Sequence, residues 1–356
     1  MKIVIVAGGT GGHIYPGIAI AQEIRRREPK ASILFLGSEE GLEKDLVARE
    51  GYQIKLIKAR ALLRKFSYKA LSAPFISTVG FFQSLKILKE FSPGVLISTG
   101  GYASLPVVLA AKLLGIPIYI HEQNVLPGAV NRFCRRLASK VFLTFKESLQ
   151  YIQGEVVGNP VRREIIEADR DQARDKLKIK GRMILIIGGS QGSRKMNQAI
   201  IGALDRLPKD VQIFHIIGNR DFNWVRQQLD GRKIAGYNPI SYLYDMSAVI
   251  AAADLVVSRA GATAIAEFLV RGIPMILVPF PYAAEDHQRL NAKVIADNGG
   301  AVVVEDSEFK PEKFSELIDG KALDYDKMKA AVRRLATQQL LGRPEAAERI
   351  VNFIYG

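Results

Sequence analysis

Short apolar runs alternate with segments of helical periodicity along the whole chain. In the first half these runs are residues 2–6, 33–36, 54–57, 95–97, 118–120, 141–143 and 155–157. In the second half they are residues 183–187, 213–217, 234–235, 255–257, 275–278 and 301–304. Strands that alternate with helices form parallel sheets covered on both faces. The pattern therefore predicts two doubly wound α/β domains, joined near residues 158–160.

Each half begins with a strand that runs into a glycine-rich turn. The first turn is Gly8-Gly9-Thr10-Gly11-Gly12, with a helix predicted from about residue 16 to 27; the second is Gly188-Gly189-Ser190-Gln191-Gly192, with a helix from about 196 to 207. Neither turn has the G-x-G-x-x-G spacing of dinucleotide-binding proteins, and neither carries a Walker-type G-K-S/T. A bare glycine-rich turn indicates only that a ligand, often a phosphate, approaches the backbone.

A third candidate site follows the run at residues 255–257. Gly261 lets the backbone turn into a helix predicted over residues 262–270, and the free N–H groups of a helix start suit a phosphate. Glu267 is the only charge between Arg259 and Arg271. Its carboxylate could accept hydrogen bonds from both hydroxyls of a ribose. The alternative is a helix glutamate that only faces solvent.

Composition narrows the class of protein. A chain of 356 residues with 48% hydrophobic content is long enough for two cores. The single cysteine, Cys134, excludes a disulfide framework and fits a reducing compartment. No unbroken uncharged stretch is long enough to span a bilayer. The net charge of +14 predicts an anionic partner: nucleic acid, phospholipid or a phosphorylated substrate.

The positive charge is concentrated in two segments without acidic residues. Between Glu50 and Glu90 the basic residues are Lys55, Lys58, Arg60, Arg64, Lys65, Lys69, Lys86 and Lys89, interleaved with Leu62, Leu63, Phe66, Phe75, Ile76, Phe81 and Phe82. The segment 123–146 carries Arg132, Arg135, Arg136 and Lys140 on a predicted helix. An anionic membrane surface, two solvated helix faces, and nucleic acid all fit this composition. Because no nucleic-acid-binding module is visible, nucleic acid is not an expected partner.

Two D-x-D triplets are candidates for a metal site. They are Asp169-Arg170-Asp171 and Asp324-Tyr325-Asp326. Both stand at the beginnings of predicted amphipathic helices, where acidic residues favour the helix dipole. We therefore predict helix starts and no metal ion.

The combined motifs resemble the MurG family of GT-B glycosyltransferases. They are Gly8-Gly9-Thr10-Gly11-Gly12-His13, Gly100-Gly101-Tyr102, His121-Glu122-Gln123-Asn124, Gly158-Asn159-Pro160-Val161-Arg162, Gly188-Gly189-Ser190-Gln191-Gly192, and Ser258-Arg259-Ala260-Gly261 with Glu267. The resemblance implies an α/β GT-B fold of two Rossmann-like domains facing a cleft. Residues 1–160 with 342–356 would form the acceptor and membrane-facing domain, and residues 161–341 the UDP-GlcNAc domain. The last helix, about 344–354, would cross back to the first domain.

The implied activity is inverting transfer of GlcNAc from UDP-GlcNAc to the MurNAc 4-hydroxyl of undecaprenyl-pyrophosphoryl-MurNAc-pentapeptide. This step turns lipid I into lipid II in peptidoglycan synthesis. By resemblance no cofactor is expected, and the partners are UDP-GlcNAc, lipid I and an anionic membrane surface. Other cell-wall synthesis proteins are a further class that the resemblance allows. The expected location is peripheral, at the cytoplasmic face of the plasma membrane.

Site residues are carried over only to matching positions. The donor-binding residues implied are Thr10, Gly11, Gly12, Asn124, Arg162, Ser190, Leu243, Ala262, Thr263, Ala264, Ile265, Ala266, Glu267 and Gln288. The residues near the acceptor are Tyr102, Glu122 and Asn131. The chain departs from the family at His287, where a second glutamine is common; an imidazole donates differently from an amide.

An acceptor hydroxyl must lose its proton in such a transfer, so a general base is needed. The chain has four histidines. His215 lies inside an apolar run, which predicts a core histidine. His121 ends a predicted strand. His13 ends the first glycine turn, at the sheet edge where α/β proteins bind ligands, and is the best candidate. In the competing hypothesis His13 binds diphosphate or caps its helix, and Glu122 or water takes the proton.

Two other classes remain open on the sequence alone. One is a non-enzymatic module that binds a nucleotide sugar or a membrane surface. The other is a relative of the same fold, such as a UDP-GlcNAc 2-epimerase or a diacylglycerol sugar transferase.

Overall fold

The computed structural model describes residues 1–60, 68–189, 192–232, 234–319, 322–338 and 343–356, without the side chains of residues 68–74 and 338. The chain divides into two compact units, Met1–Arg162 with Arg343–Gly356, and Arg163–Gly342. Each unit has a parallel sheet. The prediction of two doubly wound α/β domains is confirmed.

The first unit contains a seven-stranded sheet of order β3-β2-β1-β4-β5-β6-β7. Its strands are β1 Lys2–Val6, β2 Ser32–Ser38, β3 Gln53–Ile57, β4 Val95–Ser98, β5 Ile118–Glu122, β6 Lys140–Leu143 and β7 Glu155–Val156. Its helices are α1 Gly11–Arg27, α2 Glu43–Arg49, α3 Tyr68–Phe91, α4 Ser104–Leu113 and α5 Ala129–Cys134. Along β1, Ile3 and Ile5 belong to one core cluster and Val4 and Val6 to another, because successive side chains point to opposite faces of the sheet.

The second unit contains a six-stranded sheet of order β10-β9-β8-β11-β12-β13. Its strands are β8 Arg182–Ile187, β9 Val211–Ile216, β10 Tyr237–Ile240, β11 Leu255–Ser258, β12 Met275–Leu277 and β13 Ala301–Val303. Its helices are α6 Arg163–Glu167, α7 Arg170–Lys176, α8 Arg194–Ala203, α9 Asn219–Leu229, α10 Ser247–Ala252, α11 Ala262–Val270, α12 His287–Asp297, α13 Pro311–Ile318 and α14 Tyr325–Gln338.

The last helix, α15 Ala346–Tyr355, belongs to the first unit. Ile350 and Val351 are fully buried in the core cluster that also contains Ile3 and Ile5. The hydroxyl of Tyr355 donates to Glu28 over 2.8 Å, just beyond the end of α1. The first unit is therefore built from both ends of the chain.

Three predicted elements differ from the structure. The strand predicted at residues 234–235 is wrong: β10 begins only at Tyr237, after a turn at Gly236 with φ of 78°. Pro239 lies in this strand, and a proline is tolerated there because β10 is at the edge of its sheet. The first helix begins at Gly11 rather than near residue 16, with Pro16 inside it. The basic segment 123–146 is not one helix, since α5 ends at Cys134 and Lys140 begins β6.

The last part of the other basic segment lies on α3, which carries Lys69, Lys86 and Lys89. Phe75 and Phe82 are 74% and 63% exposed, whereas Phe81 is half-buried and packs on the core. Arg64, Lys65 and Phe66 lie outside the described residues, as does the side chain of Lys69. None of the described helices is long and apolar enough to cross a membrane.

Replacing Ile350 with alanine tests the contribution of α15 to the first unit. Because Ile350 is fully buried, the truncation should lower the free energy of unfolding by about 2–5 kcal/mol. Glu348→Ala, an exposed change on the same helix, is the control and should stay within about 0.5 kcal/mol of the parent. Urea unfolding followed by circular dichroism measures both; equal midpoints for the two variants would show that α15 is not part of this core.

Candidate active site

Three loops of the first unit meet where the neighbouring strands β1, β4 and β5 end. Because the strands are parallel, their carboxyl ends lie at one edge of the sheet. The amide of Gly8 donates to the carbonyl of Gly100 over 3.0 Å. A Cβ on Gly101 would lie 2.2 Å from the carbonyl oxygen of Gly8, and its φ is 87°. Only glycine permits this approach of the two loops.

His13 lies in the first turns of α1 and is half-buried. Its Nδ1 is 2.9 Å from the carbonyl oxygen of Thr99 and 2.9 Å from Oε1 of Gln123. Both partners are acceptors, so Nδ1 carries the proton and the lone pair is on Nε2. The Thr99 hydroxyl donates to the carbonyl of His13 over 2.8 Å and holds its backbone. This is the protonation state that a general base requires at Nε2.

The predicted acceptor residue Glu122 is buried and organises the loop after β5. Its Oε1 accepts from the amide of Asn124 at 2.9 Å and from that residue's side chain at 3.3 Å. Its Oε2 accepts from the amide of Gly128 at 2.9 Å and from Nδ2 of Asn131 at 2.7 Å. A carboxylate that accepts four hydrogen bonds is engaged in fixing its loop. The alternative in which Glu122 takes the acceptor proton is therefore the weaker one.

The first glycine turn leads directly into the amino end of α1. Thr10 is the N-cap and is exposed, Gly11 and Gly12 begin the helix, and the first turn contains no acidic residue. Helix amide groups at such an end suit a phosphate. The Arg162 guanidinium lies 3.9 Å from the centroid of the Tyr15 ring on the same helix.

Two side chains, Tyr102 and Glu43, contact this turn at Gly9. The ring of Tyr102 packs against Gly9, where a Cβ would lie 2.8 Å from it, and its hydroxyl is 2.8 Å from Oγ of Ser38. Burial raises the pKa of Tyr102. Glu43 is 1% exposed and accepts from the amides of Gly9 at 2.7 Å and Ser38 at 3.2 Å. No local sequence pattern marks Glu43, which lies 34 residues from Gly9.

In the second unit, Arg259 connects the ends of three strands. Its guanidinium donates to the carbonyls of Val278 and Pro279 at 3.1 and 3.2 Å, and to Oγ of Ser193 at 2.7 Å. It also pairs with Asp306 at 2.7 Å, and it is only 8% exposed. Arg259 thus holds Ser193, which caps α8. Neither Arg259 nor Asp306 was predicted as a site residue.

The helix α11 begins as predicted, directly after Gly261. It has no side-chain cap and no acidic residue in its first turn, so its first amides can face an anion. Ala262, Thr263, Ile265 and Ala266 are buried, and Ala264 is half-buried. Glu267 is 7% exposed. The alternative in which Glu267 only faces solvent is therefore wrong.

Gln288 fixes the turn before α11. Its Oε1 accepts from the amides of Ala260 at 3.2 Å and Phe280 at 3.0 Å, which leaves its Nε2 protons for donation. Asn291 donates to the carbonyl of Ala260 at 3.2 Å. His287 is held by the carbonyl of Ala284, 2.8 Å from its Nδ1. Leu243 is half-buried between β10 and α10, and Ser190 lies outside the described residues.

The remaining candidates have structural roles. His215 is fully buried between Tyr237 and Asn197, and burial lowers its pKa to about 3; the prediction of a core histidine is confirmed. In the D-x-D triplets, Asp169 accepts from the amide of Gln172 at 2.8 Å and Asp324 from that of Lys327 at 3.0 Å. Both therefore cap helices. Within the described parts of the chain, no group of three acidic, histidine or cysteine residues could hold a metal ion.

Comparison with known proteins places these motifs in one family. A model of the glycosyltransferase family 28 N-terminal domain matches residues 3–143, and one of the C-terminal domain matches residues 183–350. Relatives from Desulforamulus reducens and Moorella thermoacetica are each 39% identical to this chain and cover 99% of it and 98% of their own length. Both are named UDP-N-acetylglucosamine--N-acetylmuramyl-(pentapeptide) pyrophosphoryl-undecaprenol N-acetylglucosamine transferase.

The chain is also similar to solved structures over nearly its full length. Acinetobacter baumannii MurG is 28% identical, with a TM-score of 0.75 over 99% of both chains. A Neisseria meningitidis UDP-GlcNAc 2-epimerase, solved with UDP-GlcNAc bound, is 14% identical, with a TM-score of 0.68 over 100% of both chains. At that identity the second likeness shows only a shared fold.

Proposed function

Because the chain belongs to glycosyltransferase family 28, we propose that it transfers GlcNAc from UDP-GlcNAc to undecaprenyl-pyrophosphoryl-MurNAc-pentapeptide. The observation that carries this proposal is the 36–39% identity, over 99% of the chain, to several relatives named for that transfer. The product would be lipid II, made for peptidoglycan synthesis. We expect no cofactor and no metal ion.

The second unit supplies the features that a nucleotide sugar needs. The uncapped start of α11 suits the diphosphate, and the buried carboxylate of Glu267 suits the ribose hydroxyls. The Nε2 group of Gln288 suits a hydroxyl of the sugar, because its Oε1 already accepts two backbone amides. We further infer, from the family resemblance, that residues 10–12, Asn124 and Arg162 contribute to donor binding.

We propose a single displacement with inversion. The oxygen of the MurNAc 4-hydroxyl bonds to C1 of GlcNAc, the bond from C1 to the diphosphate oxygen breaks, and UDP leaves with the electron pair. The hydroxyl proton passes to Nε2 of His13, whose Nδ1 is already protonated. Helix N-termini and Arg162 would stabilise the charge on the departing diphosphate.

The proposed transfer is tested by supplying UDP-GlcNAc with and without a MurNAc-pyrophosphoryl lipid. We expect UDP release and a GlcNAc-MurNAc product only when the lipid acceptor is present. UDP-ManNAc formed without acceptor would instead identify an epimerase. Transfer to diacylglycerol, or binding without turnover, would also refute the proposal.

Replacing Glu267 with alanine tests the ribose contact. Hydrogen bonds to a charged group contribute roughly 1.5–3 kcal/mol, so the KM for UDP-GlcNAc should rise about 10- to 150-fold. Glu316→Ala, on the exposed face of α13, is the control and should leave KM unchanged. Thermal unfolding verifies that both variants fold, and a parental KM in folded Glu267→Ala would contradict the assignment.

We also propose that α3 carries the enzyme to its membrane-bound acceptor. Phe75, Phe82 and Lys86 lie on one helical face, seven and four residues apart, and all three are exposed. Inserted rings contribute about 25 cal/mol per Å² of buried apolar area, and each basic residue near an anionic surface about 1 kcal/mol. Glu90 pairs with Lys86 at 4.0 Å and reduces that charge in part. The location we propose is the cytoplasmic face of the plasma membrane.

Vesicle binding tests this membrane face. Phe75→Ser with Phe82→Ser should weaken binding to anionic vesicles by at least about 10-fold, and salt should weaken binding of the parent. Leu149→Ser is the control, since Leu149 is 49% exposed in the same unit but is not on α3. Activity on a short-chain, water-soluble acceptor should survive the double change. Unchanged vesicle binding by the double variant would exclude α3 as the membrane face.

A further inference from the structure

Two side chains, His121 and Gln123, form a continuous line of hydrogen bonds behind the ring of His13. Nε2 of His121 lies 3.0 Å from the carbonyl oxygen of Gly158. Nδ1 of His121 lies 3.0 Å from Nε2 of Gln123. Oε1 of Gln123 then lies 2.9 Å from Nδ1 of His13. His121 and Gln123 are 0% and 2% exposed, so the line runs through the protein interior and ends at the half-buried ring of His13.

Each hydrogen bond along this line has only one possible donor and one possible acceptor. The carbonyl of Gly158 can only accept, so Nε2 of His121 carries a proton and its Nδ1 is an acceptor. The amide nitrogen of Gln123 donates to that Nδ1 and also to the carbonyl of His121, at 3.1 Å. Oε1 of Gln123 must therefore face His13 and accept from it.

We propose that His121 and Gln123 are positioning residues that hold His13 in the Nδ1-protonated tautomer, with its basic nitrogen, Nε2, toward the acceptor hydroxyl. The inference rests on the proposed role of His13 as the general base. Both side chains are buried, so each acts through the next one along the line. A merely space-filling pair would leave the carbonyl of Thr99 as the single acceptor that selects the tautomer of His13.

Two features keep this arrangement of donors and acceptors near neutral pH. Burial lowers the pKa of His121 to about 4, so near neutral pH this ring stays neutral and keeps an acceptor for the Gln123 amide. The carbonyl of Thr99 is the second acceptor at Nδ1 of His13 and favours the same tautomer. A Cβ on Gly100 would lie 3.3 Å from the imidazole, so this glycine leaves room for the ring.

Nitrogen NMR of the unaltered protein tests the tautomer directly. The chain has four histidines, so ¹⁵N-histidine labelling gives four ring systems, and His13→Ala identifies the signals of His13 by their loss. We expect His13 with a protonated Nδ1 and His121 with a protonated Nε2. Finding His13 protonated at Nε2 in the neutral ring would overturn the inference, without any variant that could misfold.

Gln123→Met tests the function of the line. It removes one of two acceptors at Nδ1 of His13, which should lower kcat about 5- to 10-fold while the KM for UDP-GlcNAc stays within about 2-fold. The NMR signals of His13 should then show a mixture of tautomers. His13→Ala, which removes the base itself, should lower kcat by about 10²–10⁴.

The matched control is Gln212→Met. The side-chain oxygen of Gln212 is likewise an acceptor, but near the start of β9 and for the backbone amides of Lys180 at 2.7 Å and Gly181 at 3.4 Å. It should change neither kcat nor the tautomer. Parental kcat and a single tautomer in Gln123→Met would overturn the inference. If the parent did not transfer GlcNAc to the lipid acceptor, the proposed function would fail, while the NMR result would still report the tautomer.

Discussion

The site of the first unit depends on one close backbone contact, in which the amide of Gly8 donates to the carbonyl of Gly100. This hydrogen bond ties the turn after β1 to the turn after β4. It brings the carbonyl of Thr99 within 2.9 Å of the His13 ring, and thereby sets one of the two acceptors that fix its tautomer. A side chain on Gly101 would collide with the carbonyl of Gly8, so a substitution there would separate the two turns.

In the second unit, a different interaction holds the loops at the ends of the strands. A charged side chain, Arg259, joins Ser193 at the start of α8 to the carbonyls after β12 and to Asp306 after β13. A nearly buried guanidinium is stable only with such partners. Because those partners occupy its guanidinium, Arg259 is better suited to holding these strand ends together than to binding a ligand. The start of α11, which no side chain caps, is where we propose that the diphosphate binds.

The features that the sequence predicts are those set by neighbouring residues. Contacts between residues far apart in the chain could not be predicted. The apolar runs predicted most strands, because a parallel sheet buries both faces. The edge strand β10 was missed because Asn238 and Pro239 interrupt its apolar pattern. Glycine turns and Glu267 stood out by local pattern. Glu43 and Asp306 did not, since each reaches its partner across a long stretch of chain. The exposure of Phe82 and the partial burial of neighbouring Phe81 likewise follow from how α3 packs on its core.

The choice of a glutamine beside His13 has a physical consequence for the proposed transfer. In Ser-His-Asp enzymes a buried carboxylate orients the histidine and stabilises its cationic form. In the proposed transfer the departing group is a diphosphate, and a carboxylate beside the proposed base would oppose the negative charge that develops as UDP leaves. The carboxylate that does lie nearby, Glu122, is turned toward Asn124, Gly128 and Asn131. A neutral amide, held by a histidine that burial keeps neutral, selects the same tautomer without adding charge to the site.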